Sequence, residues 1–191
     1  MTLSYPKTSD SLRNQLLVAT PALQEGFFCQ SVTYICEHGE SGAMGIAINQ
    51  PLDIALGEIL GHLNLEMNQA PSQETVFAGG PVQIDHGYVL HRGQGTWDAS
   101  THVGADIWLT TSKDILAAIG SGNGPIDHLV ALGYAGWGPG QLEEELADNC
   151  WLTVAADPAI LFDVPYEQRL QAAGDRLGID IHLMSQDAGH A

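Results

Sequence analysis

The chain has 191 residues, 45% of them hydrophobic and 15% charged, which is enough to bury a sizeable core and too apolar for intrinsic disorder. Six basic residues face 23 acidic ones, a formal charge of −17 that is spread along both halves of the chain. Duplex affinity rests on lysine and arginine displacing phosphate counterions, so the balance argues against direct nucleic-acid binding, and against an anionic membrane surface for the same reason.

No linker or low-complexity run divides the sequence, so residues 1–191 are expected to form one domain, with 1–13 a polar, flexible leader. The N-terminus lacks the charged and apolar regions of a signal peptide, and no apolar run approaches membrane-spanning length. Three cysteines, Cys29, Cys36 and Cys150, are odd in number and suit thiols in a reducing cytosol. A cytoplasmic location follows as the expectation.

In chain order, Asn14–Ala19 reads as a first strand ended by Thr20-Pro21, and Phe27–His38 as a loop entering a long strand. Period two on that strand places Val32, Tyr34, Cys36 and His38 on one face and Thr33, Ile35 and Glu37 on the other. Cys36-Glu37-His38 therefore holds no triad unless a bulge intervenes, because Glu37 points away from the other two. Cys36 and His38 share a face at about 6 to 7 Å between Cα atoms. That spacing suits either a common site or a packed thiol beside a hydrogen-bonded histidine. The histidines show no H-E-x-x-H spacing and the cysteines no Cys-x-x-Cys, so neither a metal nor a cofactor is expected.

Gly42–Pro51 reads as a buried strand ending in an Asn49-Gln50-Pro51 turn, followed by an amphipathic helix whose stripe is Leu52, Leu56, Ile59, Leu60 and Leu63. Val76–Val82 is a short strand running into a Gly79-Gly80-Pro81 bend that lacks dinucleotide or P-loop spacing. Gly87–His91 and Ile107–Thr110 are extended, and Thr111–Asp114 matches a capping box opening a helix over 115–119. The apolar run Leu129–Leu132 suits a strand covered on both faces, after which Gly136–Gly140 predicts a tight turn into a helix over 141–147. Three glutamates at positions 143–145 complement that helix's positive end and argue against a phosphate there. Asn149 is a helix stop, Trp151–Val154 a strand, and Tyr166, Leu170, Ala173 and Leu177 share the face of a helix closed by Gly178. Ile179, Ile181 and Leu183 alternate as a last strand, and the tail 185–191 reads as exposed.

Several of these segments together resemble the AlgH/YqgE family: Cys36-Glu37-His38, Gly42-Ala43-Met44-Gly45 with Ile48-Asn49, Gly79-Gly80-Pro81-Val82 with Val89-Leu90-His91, Thr110-Thr111-Ser112, Leu132–Trp137, Gly140–Glu143 and Leu177–Asp180. The resemblance runs from about Leu16 to the C-terminal Ala-Gly-His-Ala. It implies a bacterial cytosolic protein with a mixed α/β fold, in which a bifurcated, mostly antiparallel sheet curls towards a pseudo-barrel with flanking helices. Members are described as candidate transcriptional regulators, and the resemblance brings no catalytic residue. His86 stands where the family usually has arginine, which replaces a permanent cation by a titratable ring. Glu25-Gly26 replaces a proline-containing turn.

The leading expectation is a regulatory or binding protein that acts through a protein or a small ligand. The alternative is an enzyme, hydrolytic for instance, with a pocket drawn from Cys36, His38, Asn49, Gly79, Gly80, His91, Gly136 and Trp137. A third reading is an assembly or scaffold protein. Oligomeric state stays open.

Overall fold

The structure is a computed structural model that describes residues 11–68, 70–93 and 96–184. Its elements in chain order are β1 (Gln15–Ala19), β2 (Val32–Gly39), β3 (Gly42–Ala47), β4 (Pro51–Ala55), α1 (Leu56–His62), β5 (Thr75–Ala78), β6 (Val82–Arg92), β7 (Ser100–Gly104), β8 (Ile107–Thr110), α2 (Lys113–Gly120), β9 (His128–Trp137), α3 (Gln141–Ala147), β10 (Trp151–Ala155), α4 (Pro158–Phe162) and α5 (Arg169–Arg176). Short 3-10 turns cover Ala70–Gln73, Tyr166–Gln168 and Ile181–Leu183.

The strands form one curled sheet in the order β10-β1-β2-β3-β9-β6-β8-β7, with β5 and β4 branching off β9. The branch point lies inside β9. Its first half is sandwiched between parallel β5, where Phe77 opposes Ala131, and antiparallel β6, where Val89 opposes Val130. Its last three residues pair instead with β3, where Gly45 opposes Ala135. Between the two halves Gly133 adopts φ 74°, a left-handed conformation that glycine reaches without a Cβ penalty. Gly79 ties the branches together, its N–H donating to Leu132 O and its carbonyl accepting from Ala47 N, both at 2.8 Å. The expected Gly-Gly-Pro bend is thus the crossing of one backbone over another.

Burial follows the strand period on both faces. Leu16 and Val18 of β1, Leu129 and Ala131 of β9, and Leu90 of β6 point inside the curl, where α4 and α5 also pack. Leu17 and Ala19 point outward with Ile35, Ala135 and Trp137 to meet Leu142 of α3. Val76, Val89 and Val130 carry α1 and α2 on the other branch. Strands covered on both sides explain the unbroken apolar runs at 16–19 and 129–132. The curl is closed by a side chain: Arg13 donates through Nε to Val103 O at 2.9 Å and through Nη2 to His102 O, both on β7. Leu12 and Arg13 are therefore fastened, and of the expected flexible leader only residues 11–13 are described.

Several boundaries differ from the sequence reading. Residues 52–55, expected to open the helix, belong with Pro51 to a strand that pairs with β5. Gly136 and Trp137 belong to β9, which leaves only Gly138-Pro139-Gly140 for the turn. Residues 83–86 and 100–104, left unassigned by the sequence reading, are strands; Val82 and Ile84 stand exposed on the first and Val103 is buried on the second. Helix α4 was not anticipated; Pro158 occupies its first turn, and the Asp157 carboxylate caps it by accepting from Ala159 N at 3.0 Å. The expected last strand at 179–183 is a 3-10 turn. The capping box at 111–114 is replaced by a denser arrangement. Ser112 Oγ donates to Asp114 Oδ1 at 2.5 Å, and Asp114 also accepts from the Asp98 and Ile115 amides. Those donors outweigh burial and hold the Asp114 carboxyl below its ordinary range. The tail 185–191 lies outside the described residues.

At Gly80 an added Cβ would sit 1.9 Å from the Tyr134 carbonyl carbon, whereas at Gly178, φ 71°, nothing lies within 4 Å. Gly80→Ala should cost more than about 3 kcal/mol by forcing two backbones apart, and Gly178→Ala about 1 kcal/mol from left-handed strain alone. Urea denaturation of the two variants measures the contrast, and equal costs would show that the crossing is not tightly packed.

Candidate functional site

The residues singled out from the sequence go to different places. The β2–β3 ladder shifts register between Ile35 and Glu37, so Glu37 opposes Met44 and strict alternation stops at Cys36. Cys36 keeps the face of Tyr34 and is buried inside the curl, its Sγ 3.7 Å from the Tyr34 carbonyl. His38 turns instead toward α3. Its Nδ1 accepts from Leu12 N at 3.0 Å, which fixes the proton on Nε2, and Nε2 donates to Glu143 Oε1 at 2.8 Å. The expected common face of Cys36 and His38 is therefore corrected by the bulge. Burial pushes the Cys36 thiol up, Glu37 adds to this and Arg13 opposes it, so the sulfur stays protonated at neutral pH.

His91 lies fully buried on β6. Its Nε2 is 2.8 Å from Thr110 Oγ1, which is 2.6 Å from Ser100 Oγ, and the Trp97 ring packs edge-on at 4.9 Å. Its Nδ1 has no hydrogen-bond partner among the described residues, and burial holds the ring below the ordinary histidine range. Asn49 is a fastener, accepting from Val32 N at 2.8 Å and donating to Gln30 O at 2.9 Å. Gly79 and Gly80 sit in the backbone crossing. None of Cys36, Asn49, Gly79, Gly80 or His91 lines the main cleft.

That cleft does receive His38, Gly136 and Trp137. It is an open cavity of about 1070 Å³ at the mouth of the curl, between β2–β3 on one wall and the segment Asp98–Thr101 on the other. Arg13, Glu37, Met44 and the Tyr88–Tyr134 pair, whose rings meet edge-on at 5.6 Å, complete it. Arg13, Ser100 and Thr101 had no motif to mark them, and Tyr134, although inside the Leu132–Trp137 segment, was not singled out for a pocket. Only the closure of the sheet brings residues 13 and 100–101 together.

Trp137 forms the back of the cleft and belongs to an aromatic cluster. Phe28 stacks on it at 6.0 Å, and Trp151 packs edge-on at 6.1 Å. The indole N–H groups of Trp137 and Trp151 both donate to Glu145 Oε2, at 2.9 and 2.8 Å, while Gln141 Nε2 donates to Oε1 at 3.0 Å. The three glutamates of α3 are thus not equivalent. Glu143 holds His38, Glu145 holds the tryptophans, and the helix's positive end is shared by Glu143 and Glu144.

A family model described as AlgH-like matches residues 16–182. A UPF0301 protein of Thioalkalivibrio sulfidiphilus is 55% identical over 183 residues, spanning 96% of this chain and 98% of its own. The chain belongs to the AlgH-like family. A UPF0301 protein of Saccharophagus degradans is 51% identical over 95% of this chain and 89% of its own. The solution structure of the AlgH protein from Pseudomonas aeruginosa superposes over the full length of both chains with a TM-score of 0.80 at 44% identity. The mixed α/β domain with its curled sheet, implied by the resemblance, is therefore observed. Protein DIP2367 from Corynebacterium diphtheriae shares the AlgH-like fold at a TM-score of 0.70 and 19% identity, over 95% of each chain. Among the described residues no helix is long and apolar enough to cross a membrane, and no group of three or more His, Cys, Asp or Glu is placed to hold a metal ion.

In this AlgH-like structure Cys36 should resist a thiol-reactive disulfide reagent at neutral pH and react only after unfolding, while half-buried Cys29 and Cys150 react faster. Peptide mapping by mass spectrometry reads this directly, and fast native labelling of Cys36 would restore it as a nucleophile.

His128 supplies a pH signature. Its Nε2 lies 2.7 Å from Glu74 Oε2 and its Nδ1 2.8 Å from Pro125 O, two acceptors that favour the doubly protonated ring. Burial opposes the charge, but Glu74 and the backbone prevail and raise the histidine above its ordinary value. Its contribution to stability is therefore full below about pH 6.5, the unfolded value, and is lost as pH rises through the raised folded value. His91, held low by burial, acts with the opposite sign, losing stability as pH falls below the unfolded value. His128→Asn should remove the loss on the alkaline side and lessen, without abolishing, the His91 slope, whose larger cause is burial and whose smaller one is the His128 charge. Denaturation midpoints collected across this pH range test the assignment, and an unchanged alkaline slope would refute it.

Proposed function

We propose that this AlgH-like protein is a cytoplasmic binding protein that acts in regulation by receiving a protein segment or a small ligand in its main cleft, without direct contact to DNA. The observation that carries the reading is the cleft itself: about 1070 Å³, open at the mouth of the curl and rich in hydrogen-bonding side chains. Two of its polar side chains are already committed to structure. His38 is fixed between Leu12 and Glu143, and Arg13 is bound to β7. An enzymatic reading based on Cys36 draws no support from this geometry, because the thiol is buried and shares no hydrogen bond with His38 or His91. The charge of −17 supports the exclusion of DNA.

Photo-cross-linking in cells tests the reading. A benzophenone amino acid at Ser41 or Thr101, on opposite walls of the cleft, should give discrete adducts that the same group at Asp53 on β4 does not. Identical behaviour at all three positions would sink the proposal. So would salt-sensitive binding of duplex DNA by the purified protein in fluorescence anisotropy.

A further inference from the structure

A second cavity lies beside α5, away from the main cleft. It encloses about 390 Å³ between β5, the start of β9 and the segment 162–169, and Arg169 lines it. Arg169 is 7% exposed, the most deeply buried charged side chain among the described residues. Its Nε donates to Val164 O at 3.1 Å and its Nη1 to Ile48 O, and the guanidinium carbon lies 5.2 Å over the Phe77 ring. Two carbonyls and a ring face satisfy part of the cation. They supply no countercharge.

That lack is informative in a chain with 23 acidic residues. Arg92 and Arg176 each hold a carboxylate, Asp127 and Asp157. Arg169 holds none among the described residues, and its Nη2 makes no hydrogen bond there, although it is not among the polar atoms sealed from solvent. Burying a cation costs several kcal/mol unless an anion and a full set of acceptors compensate it. The nearby acidic groups do not neutralise it by contact. Glu74 is occupied by His128, Asp163 stands exposed on the rim, and Glu167, whose charge favours the cation without outweighing burial, is exposed and forms no ion pair with the guanidinium.

We propose that this cavity is an anion subsite, in which Arg169 Nη2 receives the oxyanion group, carboxylate or phosphate, of a small ligand. The guanidinium is pre-positioned by its two carbonyl partners, so little conformational entropy remains to be lost on binding. A guanidinium with N–H groups left over suits an acceptor of the planar or tetrahedral oxyanion type. The cavity's size matches a small metabolite and is too small for a folded partner. Lining from Thr75 and Tyr166 gives such a ligand polar contacts beside the charge.

Titration of the full chain with inorganic phosphate and, separately, acetate tests the site, with chloride at matched ionic strength as control and the Arg169 Nε–H resonance as readout. A saturable shift at Arg169 with phosphate alone assigns a phosphate site; with acetate alone, a carboxylate site. Arg169→Gln should weaken binding at least about tenfold. Because Arg169 also braces α5 against Ile48, just past β3, and that variant is expected to lose stability, Asp163→Asn provides a second reading that leaves the arginine untouched. Removing the rim carboxylate should tighten anion binding about twofold to threefold, which a purely structural arginine would not register. No saturable shift at Arg169 with either anion, or an unchanged affinity in Asp163→Asn, would overturn the proposal.

Discussion

The fold depends on the contact where Gly79-Gly80 crosses β9 at Gly133. A strand can pair on only two sides, yet β9 serves three neighbours by giving β5 and β6 its first half and β3 its end. The change of partner requires a residue with positive φ in β9 and a crossing chain without side chains, and each requirement is met by glycine. Once the crossing is set, the two branches splay and create three separate apolar faces, each with its own helical cover.

Function-bearing geometry follows from that splay. The branch through β3 and the branch through β6 diverge at Tyr134, and the main cleft lies in the gap. Its back is kept in place by α3, whose Glu143 and Glu145 reach His38 and the paired tryptophans. Charge-assisted hydrogen bonds of this kind are shorter and stronger than neutral ones, so the cleft wall is more rigid than its open shape suggests. Arg169 performs a related task at the opposite end of β3, where it braces α5 against the end of that strand.

Much of this was legible in the residues and some was not. Leu129–Leu132 announced a strand buried on both faces, and Asn149 and Gly178 announced helix ends, which they form at φ 55° and 71°. Leu52 misled because strand β4 and helix α1 feed one apolar cluster, so burial alone does not separate them; pairing with β5 decides. The bulge at Cys36 left no mark, since a local change of register depends on the partner strand and not on residue type. Val82 and Ile84 alternate with polar residues yet stand exposed, and segment 100–104 buries only Val103, so neither pattern maps onto a core face long enough to read. Of the eight residues chosen for a pocket, His38, Gly136 and Trp137 line the cleft, because glycine and aromatic content at strand ends tracks both folding corners and cavities. Arg169 was overlooked because charge suggested solvent, although it lies three positions from Tyr166 and four from Ala173, on the stripe's own side.

The seam of the curl is made by side chains instead of a ladder of strand bonds, with the Arg13 guanidinium on β7 carbonyls and Asn14 packed against Gly104. Arg13 reaches from the chain entering β1, whose own backbone is already paired, to the carbonyls of His102 and Val103 on β7, the strand at the end of the sheet order. A welded barrel can widen only by breaking several rungs at once. Here the aperture is buttoned: its width is set where one side chain meets two carbonyls, not by a run of strand bonds.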